Sequence, residues 1–280
     1  MSWTERLGAV GVWRSLRDTD PGLAPAVEEL GYRTLWLGGS PPADLAAVER
    51  LLETSERLIV GTSVVNIWLA DAAELADAYH RVTQRFPERL ILGIGSGHRE
   101  AVPGRIRPLE AMSRYLDVLD ERDVPAGARV LSALGPRMSA IARSRSAGTI
   151  PYLTTAAQTS AARATLGPGA LVAPEQTVLL DPDAGSGRDA ARRFLARYLG
   201  MSNYTTSMRR AGFSEHDVAG EGSDALVDAI VAHGDAAAIA RAVRDHLGAG
   251  ADHVCVQVQP ASADPLAVLD PLAADRTGLV

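Results

Sequence analysis

Lysine is absent from this chain: all 28 basic residues are arginine. That excludes a Walker-type phosphate lysine, a Schiff-base lysine and a lysine general base. Any anion must be met by arginine, backbone amides or helix N-termini. Cysteine is nearly absent too. The one cysteine, Cys255, sits in the apolar run His253-Val-Cys-Val-Gln-Val258, so no disulfide framework and no cysteine zinc cluster can form. No apolar run nears the roughly 20 residues that span a bilayer. The opening residues, Met1-Ser-Trp-Thr-Glu-Arg6, lack the apolar core of a secretory leader. The expectation is a cytoplasmic protein with no membrane partner. A net charge of −6 argues against a broad nucleic-acid surface.

What is present is an alternation of short Val/Ile/Leu runs with amphipathic stretches. Strand-like runs lie near Ala9–Trp13, Thr34–Leu37, Leu58–Val65, Leu90–Ile94, Ala128–Leu131, Thr149–Leu153, Gln176–Leu180 and His253–Val258. Helical patterns fall between them, among them Asp44–Glu56, Ala72–Phe86, Pro108–Leu119 and, late in the chain, Ser223–His233 and Asp235–Leu247. Runs buried on both faces that alternate with helices indicate a parallel sheet. Eight such units predict an α/β fold, a single (β/α)8 TIM barrel, better than a doubly wound sheet. The stretch from Asp181 to Asp252 is too long for one connection. It predicts an insertion after the seventh strand, about residues 200–222. Pro/Gly punctuation is even, so residues 1–280 read as one domain.

In such a barrel, chemistry collects at the C-terminal strand ends. Those ends read Trp13-Arg14, Gly38-Gly-Ser40, Asn66 with Trp68, Gly95-Ser-Gly-His98, Leu134-Gly-Pro136, Tyr152 with Thr154-Thr155, and Gln257 with Gln259. No close carboxylate pair stands there for glycoside hydrolysis. No His-x-His or His-Glu-x-x-His is present, and the other histidines fall at no ligand spacing, so no metal site is expected. The run Leu90-Ile-Leu-Gly-Ile-Gly-Ser-Gly-His98 is the most informative. Glycines at 93, 95 and 97 predict close approach of backbone to a flat or phosphorylated ligand, and His98 titrates near neutral pH. As a dinucleotide fingerprint the run is weak, because it lacks the third glycine. The whole set suits a flat aromatic cofactor with hydrogen bonds to its edge. Each residue also has a plainer role open to it: packing for Trp13 and Trp68, a turn cap for Asn66, a helix cap for Thr154 and Thr155.

Several segments resemble the luciferase-like monooxygenase superfamily, and within it an actinobacterial group of oxidoreductases that use the deazaflavin coenzyme F420. They include Gly11-Val-Trp13, Glu29-Leu-Gly-Tyr-Arg-Thr-Leu-Trp-Leu37, Leu131-Ser-Ala-Leu-Gly-Pro-Arg-Met138, Asn203-Tyr204, Arg210-Ala-Gly-Phe213 and Ala249-Gly-Ala-Asp-His-Val-Cys-Val-Gln257. The resemblance implies hydride transfer between F420 and a small organic substrate, by a homodimer. It implies a deazaflavin ring over Asn66 and Gly95, with contacts from Trp13, Gly38, Ser96, Gly97 and Tyr152, and a phosphate toward Thr154 and Thr155. Substrate would meet Ser40, Trp68 and Tyr204, with Tyr204 and Phe213 as a lid and His98 moving the proton. A non-prolyl cis peptide would fall near Val64–Asn66. Relatives carry a histidine or acid after the second strand and a glutamate after the fourth. Here Gly38-Gly-Ser40 and Ser96-Gly-His98 stand instead. An FMN-dependent monooxygenase and a non-catalytic flavin-binding barrel stay open as alternatives.

Overall fold

The computed structural model describes residues 2–97, 107–181 and 183–273. Eight parallel strands form a barrel, and their bounds follow the sequence runs closely. They are Val10–Ser15, Thr34–Gly38, Ile59–Ser63 (resuming at Val65–Asn66), Leu90–Gly95, Arg129–Leu131, Gly148–Thr149, Leu171–Val172 with Glu175–Leu180, and Val254–Val258. Each pairs in parallel with its neighbour, from Val12↔Leu35 around to Val130↔Gly148.

The seventh strand closes the cylinder by working in two halves. Its lower half pairs Leu171 with Gly148, while its upper half pairs Glu175 with Cys255 on the last strand. The last strand then pairs with the first, Val254 opposite Val10. The break falls at Ala173-Pro174, where the proline cannot donate to a ladder.

The sixth strand is shorter than its apolar run, because the chain turns at Leu153 into the left-handed region (φ 54°). That leaves the upper edge of the seventh strand without a neighbour. Val231–Gly234 fills the gap, pairing in parallel with Thr177–Leu180. The helical pattern at Ser223–His233 therefore ends early: the helix spans Asp224–Ile230 and the chain then extends. Demand for backbone partners on an open sheet edge outweighs the local helical pattern.

A helix follows each barrel strand, with clear local causes. Asp71 caps Ala72–Arg85 by accepting from the amides of Ala73 and Glu74, and this helix buries Leu75, Ala76 and Val82. Thr155 and Gln158 form a capping box at Ala156–Leu166. Between the seventh and last barrel strands lie the helices Ala184–Leu199, Ser202–Arg210 and Asp224–Ile230. They share their own apolar cluster, with Phe194, Leu195, Met208, Leu226 and Val227 at its centre.

The barrel interior is filled by side chains, as Trp36, Ile59, Ile91, Val130, Ile150, Leu171 and Cys255 pack together. At its N-terminal end Leu7 is fully buried, and the Trp36 indole N–H donates to His253 Nε2 at 2.9 Å. The other ring nitrogen of His253 lies 2.7 Å from the Gly8 carbonyl and must be the protonated one. Burial pushes the pKa of this histidine down to about 4. It is a neutral structural strut.

Candidate active site

A cavity of about 1480 Å³ opens at the C-terminal ends of the barrel strands, with the helix Ser202–Arg210 along one side. Of the residues expected at a site, Trp13, Ser40, Asn66, Trp68, Gly95, Ser96, Gly97, Tyr152 and Tyr204 all line it. Gly38, Thr154 and Thr155 are not part of its wall. His98 lies outside the described residues, and Arg107 also lines the cavity. Phe213 packs against the cluster of the inserted helices.

Trp13 forms the floor. Its indole lies so close to Gly38 that a Cβ there would stand 1.9 Å from Cζ2, which explains the glycine. Its N–H donates to Ser63 Oγ at 2.9 Å, and its ring meets Tyr152 at 5.9 Å between centroids. The peptide bond Ser63–Val64 is cis.

The glycine run has a different meaning from the one its sequence implies. A Cβ on Gly93 would stand 1.8 Å from the Thr62 carbonyl oxygen, one on Gly95 2.5 Å from Val64 Cγ2, and one on Gly97 2.5 Å from Asn66 Nδ2. The room that these glycines leave on their Cβ side is therefore taken by the third strand. They let two strands approach closely at the cavity wall. Asn66 gains a fixed orientation from this packing: its Oδ1 accepts from the Trp68 amide at 3.1 Å, and its Nδ2 has no partner among the described residues.

A polar chain crosses the opposite side. Tyr152 donates to Gln257 Oε1 at 2.8 Å, so the proton of the 3.0 Å contact between Tyr152 and Tyr198 belongs to Tyr198. Tyr198 then presents only acceptor lone pairs to the cavity. Tyr198 and Tyr204 meet edge-on at 5.3 Å. Burial raises the pKa of all three phenols, which therefore stay protonated at neutral pH. Asn203 also lines the cavity, and its Oδ1 is buried with no partner among the described residues.

Beneath these tyrosines lies Glu175, 1 % exposed. Burial pushes its pKa up to about 8, against hydrogen bonds from the Thr177 hydroxyl and the Leu153 amide that favour the ionised form. Burial thus favours the neutral carboxyl. Sequence reading missed it by starting the strand at Gln176; the signal was an acid inside an otherwise apolar and uncharged run. Tyr198 was missed as well, since nothing in its helix marks that position.

Thr155 uses both its amide and its hydroxyl in the capping box with Gln158. Thr154 is buried, and its hydroxyl has no partner among the described residues. Three arginines line the mouth on the side of the fifth strand and the inserted helices: Arg137, Arg197 and Arg210. The Arg210 guanidinium lies beside Gly135, where a Cβ would be 2.9 Å from Nη1. Among the described residues no group of three or more His, Cys, Asp or Glu could hold a metal ion. Nor, among them, is any helix long and apolar enough to cross a membrane.

No family model matches the chain, and no curated protein matches its sequence. Solved structures do match. An F420-dependent secondary alcohol dehydrogenase, solved with an F420–acetone adduct, superposes with a TM-score of 0.73 at 14% identity, over 96% of this chain and 98% of that one. The coenzyme F420-dependent tetrahydromethanopterin reductase of Methanopyrus kandleri gives 0.68 at 14%, over 96% and 98%. The oxygenating constituent of 3,6-diketocamphane monooxygenase from Pseudomonas putida, solved with FMN, gives 0.69 at 12%, over 98% and 99%. The likeness is one of fold: the chain has the parallel α/β barrel of these structures.

Proposed function

We propose that this protein is an oxidoreductase that transfers a hydride between coenzyme F420 and a small organic substrate. The observation that carries this reading is the cavity of about 1480 Å³ over an aromatic floor. A pocket for one small molecule measures roughly 300–1,000 Å³. The space accommodates a tricyclic coenzyme and a second molecule beside it.

The donor set fits a deazaflavin. Asn66 Nδ2 and Asn203 Oδ1 are an unpartnered donor and an unpartnered acceptor at the wall, matched to the polar edge of a ring. Trp13, Val64 and the backbone of Gly95–Gly97 would carry its face. With lysine absent, Arg137 and Arg210 beside Gly135 are the groups suited to its phosphate. That assignment moves the phosphate from Thr154 and Thr155 to the fifth-strand end, because the free groups stand there. When bound, the deazaflavin supplies or accepts the hydride. The chain supplies the rest. Tyr198 accepts a hydrogen bond from substrate, the helix Ser202–Arg210 limits access of water, and His98, which follows the cavity-lining Gly97, moves the proton.

Titration of the protein with F420 and, separately, with FMN tests the reading by fluorescence. Saturable low-micromolar binding of F420 alone supports it. Binding of FMN alone makes the protein a monooxygenase of the other type, and binding of neither by a folded chain leaves a non-catalytic barrel.

A further inference from the structure

Two arginines are buried among the described residues, Arg129 fully and Arg14 all but its cavity-facing edge. Arg129 pairs with the carboxylate of Asp120. Arg14, at the end of the first strand and 8 % exposed, has no carboxylate within ion-pair distance among the described residues; the ion pairs of the neighbouring basic residues begin at Arg6 and resume at Arg57. Its Nε donates to the Asp18 carbonyl at 3.1 Å and its Nη2 to the Ala261 carbonyl at 2.8 Å. A guanidinium has five N–H donors and a charge that is not lost at any working pH. Two donors serve the backbone, and three remain beside the cavity that Arg14 lines. Holding such a charge out of water without a counter-ion is unfavourable, and buried charges are ordinarily paired. The cavity is the side from which a partner of opposite charge can reach it.

We infer that Arg14 is a substrate-recognition residue, and that the substrate carries a carboxylate seated on its free N–H groups. This rests on the reading of the cavity as a coenzyme-and-substrate site. The first strand lies across the barrel from the fifth, where Arg137, Arg210 and Gly135 are suited to the coenzyme phosphate. Arg14 is thus left to the second molecule. A single negative charge matches it better than a dianion does, because Arg17 and Asp18 line the same cavity and offset each other, which leaves one net positive charge. Ser15, Ser40 and Gln259 complete that end and offer neutral hydrogen bonds.

The test uses the full chain, with and without F420, and three carboxylates of increasing size: acetate, benzoate and 4-phenylbutyrate. Each is compared with its amide, which keeps the shape and removes the charge. Binding is followed by calorimetry and thermal shift. At least one carboxylate is expected to bind tenfold or more tightly than its amide. Arg14→Met is expected to erase that ratio while F420 affinity stays within about threefold of wild type. Equal binding of acids and amides overturns the inference, as does a ratio that survives in Arg14→Met. Inorganic phosphate outcompeting all three acids overturns the choice of a carboxylate. A tenfold loss of F420 affinity in Arg14→Met reassigns the guanidinium to the coenzyme and overturns the substrate role. Should Arg14→Met not fold, Arg14→Lys keeps the charge without the planar fork. A tenfold weaker carboxylate then supports the inference, and an unchanged one refutes it. Failure of the coenzyme reading looks different: neither F420 nor FMN binds, whatever the carboxylates do.

Discussion

Replacing Glu175 with glutamine removes a buried ionisable group and keeps its shape. The amide can accept from the Leu153 N–H and donate to the Thr177 hydroxyl, the two partners that the carboxyl has now. In the folded protein the pKa is raised from 4.5 to about 8, burial being the cause. A raised pKa means that the native state holds a proton which the unfolded chain releases. The stability contribution is fully present below pH 4.5 and is lost as pH rises through about 8. At about 1.4 kcal/mol for each pH unit the loss reaches roughly 5 kcal/mol, or about 3 kcal/mol by pH 7. Glu175→Gln has no such slope. Urea unfolding of both proteins, followed by tryptophan fluorescence at pH 5, 6.5 and 8.5, reads it directly. The variant should gain on wild type by several kcal/mol across that range, an advantage on the order of 10 °C in Tm at the alkaline end. Every other titrating group is common to both proteins and cancels in the difference. Curves that run parallel at all three pH values would refute a neutral Glu175.

The acid limb has the opposite sign. His246 and His253 are each pushed down to about 4 by burial, so the stability they contribute is present above pH 6.5 and falls as pH drops through 4, by about 3 kcal/mol for each. Unfolding midpoints of the single alanine variants against wild type between pH 4 and 7 would check it. His253→Ala at neutral pH leaves the Trp36 N–H without an acceptor and opens a void, for an expected loss of about 3–5 kcal/mol in denaturant titration. Gly93→Ala drives a methyl to 1.8 Å from a backbone oxygen that has nowhere to move, and the expected outcome is a chain that does not accumulate folded, judged by soluble yield and far-UV CD. Once a substrate is found, His98→Ala should lower kcat by roughly 10²–10⁴ with F420 affinity unchanged. Turnover within a few-fold of wild type removes it from proton transfer.

The barrel was readable because its strands are buried on both faces and its helices carry one apolar stripe. Both patterns survive in one dimension. Asn66 was readable for a related reason: a lone amide ending an apolar strand is conspicuous. Val231–Gly234 was not, because its strand character comes from a vacant edge on Thr177–Leu180, far off along the chain and set by how soon the sixth strand stops. The glycine run was seen and half understood. Its spacing shows that something approaches the backbone, but only the third strand's position shows that Thr62, Val64 and Asn66 do so. Glu175 and Tyr198 are matters of depth and direction, and neither is written in residue spacing.

Below Trp13 the barrel is packed solid, from Ile150 and Trp36 down to Leu7. Among the described residues nothing joins the cavity to the far end, so traffic passes through the mouth alone. Two molecules that share a blind chamber must queue. On the proposed reading, the coenzyme resting on the Trp13 floor arrives first and leaves last, and the second molecule closes it in. Steady-state kinetics should then be ordered, with the converted form of the first molecule competing against that molecule, and the product of the second inhibiting without competing against either.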